Sequence, residues 1–193
     1  MLGLKLPTDP RWANIAEDHL EEILTDHAFC EQKAASHAIS IIVSYSELSG
    51  LVQVLTDIAL EELQHFKMVH DIIMKRNMNL GRKRKDDYVN ELYKFVRQGG
   101  SRTTVLIDKL LFAAMIEARS CERFKLLSEK IEDKELAAFY NELMISEAGH
   151  YTTYIGLARK HSEGEDVDKR WKEFLIYEAE VISRYGKKET IHG

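Results

Sequence analysis

Apolar side chains recur every three or four positions over most of this chain, the period of helices that bury one face. Four long stretches carry the pattern, at about 26–48, 51–76, 103–129 and 133–161, with breaks at Ser49-Gly50, 77–81 and Gly99-Gly100. A short amphipathic piece at 18–24 precedes the first. A fifth stretch at about 168–185 places Trp171, Phe174, Leu175, Val181 and Ile182 on one face. Pro7 and Pro10 block regular structure at the start, so 1–12 reads as an extended arm docked by Trp12, with a short helix beginning near Arg11. Gly186 is placed to cap the fifth helix and 187–193 to fray. The pattern predicts an all-α, single-domain protein over 1–193. It is a four-helix bundle with a long crossover at about 77–102, carrying a short helix of its own, and an additional C-terminal helix.

Glutamates and histidines interrupt these seams where a hydrophobe is expected. Glu31 sits in the stripe of His27, Ala34, Ala38 and Tyr45, and Glu62 and His65 in that of Leu55, Ile58, Val69 and Ile72. Glu117 falls among Leu110, Ala113, Cys121 and Phe124, and Glu147 and His150 among Leu143, Tyr154 and Leu157. Both Glu62-Leu63-Gln64-His65 and Glu147-Ala148-Gly149-His150 spell Glu-x-x-His, which aims a carboxylate and an imidazole at one point from one helix face. A lone glutamate precedes each, Glu31 by 31 residues and Glu117 by 30, the distance that brings two antiparallel helices level. Four-helix bundles use this set to hold a pair of iron or manganese ions. Four buried carboxylates would repel one another without cations, and their oxygen-rich donor set suits iron or manganese better than zinc or copper. Six protein ligands leave open positions on two six-coordinate ions, the mark of a reactive site. Glu122 is the rival ligand on the third helix, but it lies off the seam. Glu178 reads as a boundary residue, His27 as a packed histidine behind Glu31, and Glu61 and Ser146 as partners for the ligand imidazoles. Cys30 and Cys121 read as small buried hydrophobes.

Composition adds two constraints. Two cysteines, with no signal peptide and no apolar run long enough to span a bilayer, point to the cytoplasm and away from membranes. The net charge of −5 excludes a wholly basic nucleic-acid binder, yet between Lys75 and Arg102 nine basic residues face only three acidic ones. Arg82, Lys83, Arg84, Lys85, Arg97 and Arg102 are the candidates to contact phosphates, with Tyr88, Tyr93 and Phe95 interleaved as stacking surfaces for unpaired bases. No flavin, nicotinamide or iron-sulfur motif is present, so redox chemistry at the metals needs an external electron donor.

With the two Glu-x-x-His motifs, the basic crossover and the phrase Ile116-Glu117-Ala118-Arg119-Ser120-Cys121-Glu122-Arg123-Phe124, the chain resembles the MiaE-type tRNA isopentenyladenosine hydroxylases over nearly its whole length. The resemblance implies a ferritin-like fold and a non-haem di-iron centre. With O2 as co-substrate, such a centre hydroxylates the prenyl group of (2-methylthio-)N6-isopentenyladenosine at position 37, beside the tRNA anticodon. Its ligands would be Glu31, Glu62, His65, Glu117, Glu147 and His150: Glu31 and His65 on one ion, Glu117 and His150 on the other, Glu62 and Glu147 bridging. The partners it implies are the anticodon stem-loop and a reductase or ferredoxin. The same ligands would also serve a peroxide-reducing di-metal protein of the rubrerythrin or manganese-catalase kind, or an iron store, neither of which needs the basic crossover.

Overall fold

In the computed structural model, which describes residues 2–82, 85–185 and 190–192, every regular element among the described residues is helical. In chain order these are α1 (Trp12–Asp18), α2 (Leu20–Ser44), α3 (Ser49–Lys75), α4 (Asp87–Tyr93), α5 (Arg102–Lys130), α6 (Lys134–Lys160) and α7 (Val167–Tyr185). The boundaries follow local chemistry. Side-chain oxygens of Asp86, Ser101 and Asp133 accept backbone N–H groups at the starts of α4, α5 and α6, satisfying donors that have no partner inside the helix. The expected 18–24 piece does not stand apart, because Leu20, Leu24 and His27 continue the stripe that reaches Glu31, and α2 runs through both. The break between the first two long helices falls at 45–48 rather than at Ser49-Gly50. There Leu48 N–H bonds the Tyr45 carbonyl, and Ser49 and Gly50 form the first turn of α3.

The described residues group into two compact units, one of 2–17, 86–185 and 192, the other of 18–82, 85 and 190–191. In the smaller unit α2 packs on α3, contributing Ile23, Leu24, Ala28, Ala35 and Ile41 against Leu51, Leu55, Ile58, Val69 and Ile73, all buried. In the larger unit α5 packs on α6, and α7 covers α4 and α5. Phe124 and Tyr140 meet there with ring centroids 5.5 Å apart. Burying apolar surface at roughly 25 cal/mol per Å2 is what makes these helices stable as a set rather than singly.

Buried charge orders the larger unit. Arg119, fully buried, donates to the Leu6 carbonyl at 3.0 Å, to Glu122 at 2.9 Å and to Glu178 at 2.6 Å. Glu122 also accepts the backbone N–H and the hydroxyl of Thr8, so the N-terminal arm is clamped to α5. Trp12 lies under the Arg123 guanidinium, 4.0 Å from the ring centroid, and burial pushes the pKa of Arg123 down to about 9. Glu178, expected at the boundary, is instead fully buried, with Tyr88 donating to it at 3.1 Å. It falls in the register Phe174, Glu178, Val181, which is the buried face of α7. The C-terminus departs from expectation as well: Thr190, Ile191 and His192 are buried, with Ser120 Oγ 2.9 Å from His192 Nε2 and the Ile191 N–H donated to Asp26. Gly186 lies outside the described residues.

From Asp86 onward the crossover folds onto the larger unit. Asp108, with no exposed side-chain surface, accepts from Arg97 and from Arg170, both at under 3 Å. Phe95 stacks on Tyr177 at 4.5 Å and meets Phe174 edge-on at 5.0 Å. Burial alone would raise the Asp108 pKa, but hydrogen bonds from Arg170 and Arg97 outweigh it and hold the carboxyl below its ordinary range. Its contribution to stability is therefore present above the unfolded-state value of about 3.9 and lost as pH falls through the lower folded-state value. Asp108→Asn should cost about 2–4 kcal/mol at pH 7, because two guanidinium groups lose their counter-charge. Urea titrations should show the gap to the parent protein closing as the pH is lowered past the ordinary carboxylate range.

Candidate functional site

The two helix pairs place their ligand candidates by the same rule. On α2, Glu31 lies fourteen residues before the C-cap Tyr45, and on α3 Glu62 lies fourteen residues after the N-cap Leu48. On α5, Glu117 lies fourteen residues before the C-cap Ile131, and on α6 Glu147 lies fourteen residues after the N-cap Asp133. At 1.5 Å per residue each carboxylate stands about 21 Å from its turn, so the two glutamates of each hairpin are level. The histidine three residues on, one turn further from the cap, faces the same way.

Each hairpin thereby builds a triad. In the smaller unit Glu31, Glu62 and His65 offer ligand atoms within 4.8 Å of one another; in the larger unit Glu117, Glu147 and His150 do the same. All six are at most 5 % exposed. His65 Nδ1 lies 3.8 Å from Glu31 Oε2 and 3.7 Å from Glu62 Oε2, spacings too long for hydrogen bonds and open to an ion between them. His27 Nε2 lies 2.6 Å from Glu31 Oε1. Burial alone would raise the Glu31 pKa, but the hydrogen bond and charge of His27, with the imidazole of His65 close by, hold it well below the usual carboxylate range, so Glu31 stays an anionic donor. Two carboxylates and one imidazole converging in a water-excluded site fit a divalent cation of the iron or manganese type, whose charge offsets the cost of burying them.

The remaining candidates separate by environment. Glu122 belongs to the clamp on Thr8 and Arg119, on a different face of α5 from Glu117. Cys121 donates to the Met144 carbonyl, and burial, with Glu147 adding to it, pushes its thiol up to about 12, so it is inert at neutral pH. Glu61 is exposed and Ser146 half-buried. Of the basic residues, Arg82, Lys85 and Arg102 are exposed, whereas Arg97 is committed to Asp108; Lys83 and Arg84 lie outside the described residues. Two of the three interleaved aromatics are not available for stacking: Tyr88 is fully buried and Phe95 is packed between Phe174 and Tyr177, because α4 uses Tyr88 and Leu92 as its own buried stripe. Tyr93 is 38 % exposed. The partnership of Arg119 with Glu178 escaped the sequence reading. Its signal was an arginine two residues from Glu117 together with a glutamate in register on α7.

Comparison with known proteins gives consistent matches along the chain. Residues 2–193 match the family model described as tRNA-(MS2IO6A)-hydroxylase (MiaE). A tRNA 2-(methylsulfanyl)-N(6)-isopentenyladenosine(37) hydroxylase of Pseudomonas putida is 34% identical over 189 residues, spanning 98% of this chain and 91% of that protein. The protein of the same name from Salmonella typhimurium is 31% identical, spanning 98% and 87%. A solved structure described as Protein 43 with aldehyde deformylating oxygenase activity from Synechococcus superimposes with a TM-score of 0.91 at 32% identity, covering 98% of this chain and 95% of that one. That neighbour is ferritin-like, and this all-helical chain shares its fold class.

Glu117→Ala should lower the metal bound per chain, measured by inductively coupled plasma mass spectrometry after reconstitution. Glu122→Ala should leave metal content unchanged and instead lower the melting temperature, since Thr8 and Arg119 lose their acceptor, at a cost of about 1–3 kcal/mol. The reverse pattern would make Glu122 the ligand.

Proposed function

The chain belongs to the MiaE family of tRNA hydroxylases. From that premise we infer that it hydroxylates the isopentenyl group of 2-(methylsulfanyl)-N6-isopentenyladenosine at tRNA position 37, using O2 and a non-haem di-iron centre. The observation that carries this reading is the buried Glu and Glu-x-x-His triad, built twice by hairpins of equal arm length, in a chain that matches the family from end to end. That match favours a hydroxylase over a peroxide-reducing protein or an iron store with the same donors.

Iron bound there would supply what side chains lack, the capacity to activate O2 for attack on an unactivated C–H bond. Glu31, Glu62 and His65 would hold iron in the smaller unit and Glu117, Glu147 and His150 in the larger. His27 occupies one oxygen of Glu31, which leaves Oε2 for the metal and fixes the carboxylate's orientation. The near-complete burial of all six donors keeps bulk water from competing at the site.

Arg82, Lys85 and Arg102, all exposed, contact phosphates of the anticodon stem-loop, whose unpaired nucleotides can be splayed out to present the prenyl group. Lys83 and Arg84 join this set on charge alone, while Arg97 is left out because Asp108 neutralises it. The two electrons each turnover needs come from a separate reductase or ferredoxin. In the described residues no helix is long and apolar enough to cross a membrane.

Mass spectrometry of tRNA nucleosides from a host that makes prenylated adenosine 37 is the decisive assay. The intact protein should add one oxygen to that nucleoside and Glu117→Ala should add none. A protein loaded with two irons and supplied with reductant that adds no oxygen would overturn the assignment. Reversing the charges of Arg82, Lys83, Arg84 and Lys85 together should weaken tRNA binding at physiological salt at least about tenfold, read by filter binding. Unchanged binding would move the RNA surface elsewhere.

A further inference from the structure

The chain leaving α3 is tied to α2 just before it becomes basic. Asn77 lies in the left-handed region at φ +55°, a conformation asparagine tolerates better than most residues with a side chain. Its N–H bonds the Met74 carbonyl at 3.1 Å, and that of Met78 bonds the Ile73 carbonyl at 3.0 Å. These are the two bonds of a Schellman motif, which ends α3 and redirects the chain. The redirected chain then meets one turn of α2. The Asn79 N–H donates to Glu21 Oε1 at 3.3 Å and the Gly81 N–H to Thr25 Oγ1 at 3.2 Å. Glu21 and Thr25 are four residues apart and share a helix face.

Thr25 is the better placed of the two anchors, being 4 % exposed. A Cβ on Gly81 would stand 3.2 Å from Thr25 Cγ2, so the glycine lets the backbone come close against the threonine methyl. Arg82 follows directly. It is exposed and lines a small cleft with Glu21, Glu22, Thr25 and Gly81. All of these residues belong to the smaller unit, and α2 runs unbroken from them to Glu31. Thr25 and Glu31 are six residues apart, about 9 Å along the helix axis.

We propose that Thr25 is a positioning residue for tRNA binding: by holding Gly81 it fixes the backbone of Arg82 at a set height from the donor Glu31. The inference rests on the reading that Arg82 contacts a tRNA phosphate. A substrate that brings its prenyl group to the metal donors while its phosphate meets Arg82 needs those two points at a constant separation, because small misplacements are costly at a reacting centre. One continuous helix supplies that separation. A cation on an unanchored chain would have to be ordered each time RNA binds, whereas here the backbone before it is ordered on folding.

Filter binding of tRNA carrying prenylated adenosine 37 to the full chain tests this. Thr25→Val keeps the shape and removes the acceptor, and Gly81 is exposed, so its N–H can bond water instead. The variant should raise Kd, and KM for tRNA, about threefold, with kcat, iron per chain and circular dichroism unchanged. Thr25→Ser, which keeps the hydroxyl, should bind as the parent does. Arg82→Ala should raise Kd about fivefold. Adding Thr25→Val to it should change nothing more, because Thr25 acts through Arg82. Parent-like binding by Thr25→Val beside a weakened Arg82→Ala overturns the proposal and leaves the RNA contact standing. Unchanged binding in Arg82→Ala removes that contact, and the proposal with it. A Thr25→Val defect that persists in the Arg82→Ala background, or that comes with loss of iron, makes Thr25 a residue of the fold alone and also overturns it.

Discussion

Six ionisable side chains withdrawn from water at mid-helix set the terms for everything else in this protein. Each triad exposes almost nothing to solvent, and a carboxylate in that position is tolerable only with compensating positive charge close by. That requirement explains why the apolar seams of α2, α3, α5 and α6 are interrupted at these places. It also explains the equal arms of the two hairpins: fourteen residues on either side of a tight turn is the register that brings Glu31 beside Glu62 and Glu117 beside Glu147. A helix shifted by one residue would rotate its glutamate about 100° off the seam.

The larger unit solves a second problem with the opposite sign. Arg119 and Arg123 are fully buried guanidinium groups, and the chain places Glu122, Glu178, the Leu6 carbonyl and the ring of Trp12 around them. The phrase from Ile116 to Phe124 thus alternates between two tasks on successive helix faces. Glu117 looks to the ligand seam, while Arg119, Glu122 and Arg123 tie the N-terminal arm and α7 to α5.

The basic crossover shows how composition overstates a binding surface. Counted along the chain, 75–102 is strongly positive and rich in aromatics. In three dimensions Arg97 is spent on Asp108, Lys94 on Glu91, Tyr88 on Glu178 and Phe95 on an aromatic stack, and what is left facing water is a smaller cationic surface that includes Arg82, Lys85 and Arg102. A segment this short cannot fold without using some of its own large side chains as core, and α4 takes Tyr88 and Leu92 for that purpose.

The helices, their seams and the six metal-ligand candidates were legible from spacing alone, because a helix has a fixed period and a polar residue on its apolar stripe stands out. The hairpin register was legible for the same reason, since chain distance converts to height at 1.5 Å per residue. What required the tertiary structure were the partners of isolated charges. Nothing local to Glu178 says that Arg119, 59 residues away in sequence, will meet it, nor does Asp108 announce Arg170 across 62 residues. The burial of Ile191 and His192 at the end of the chain was equally hidden, because a tail that is polar on both sides carries no periodic signal. Periodicity reports which face of an element is buried; only the packed fold decides what it is buried against.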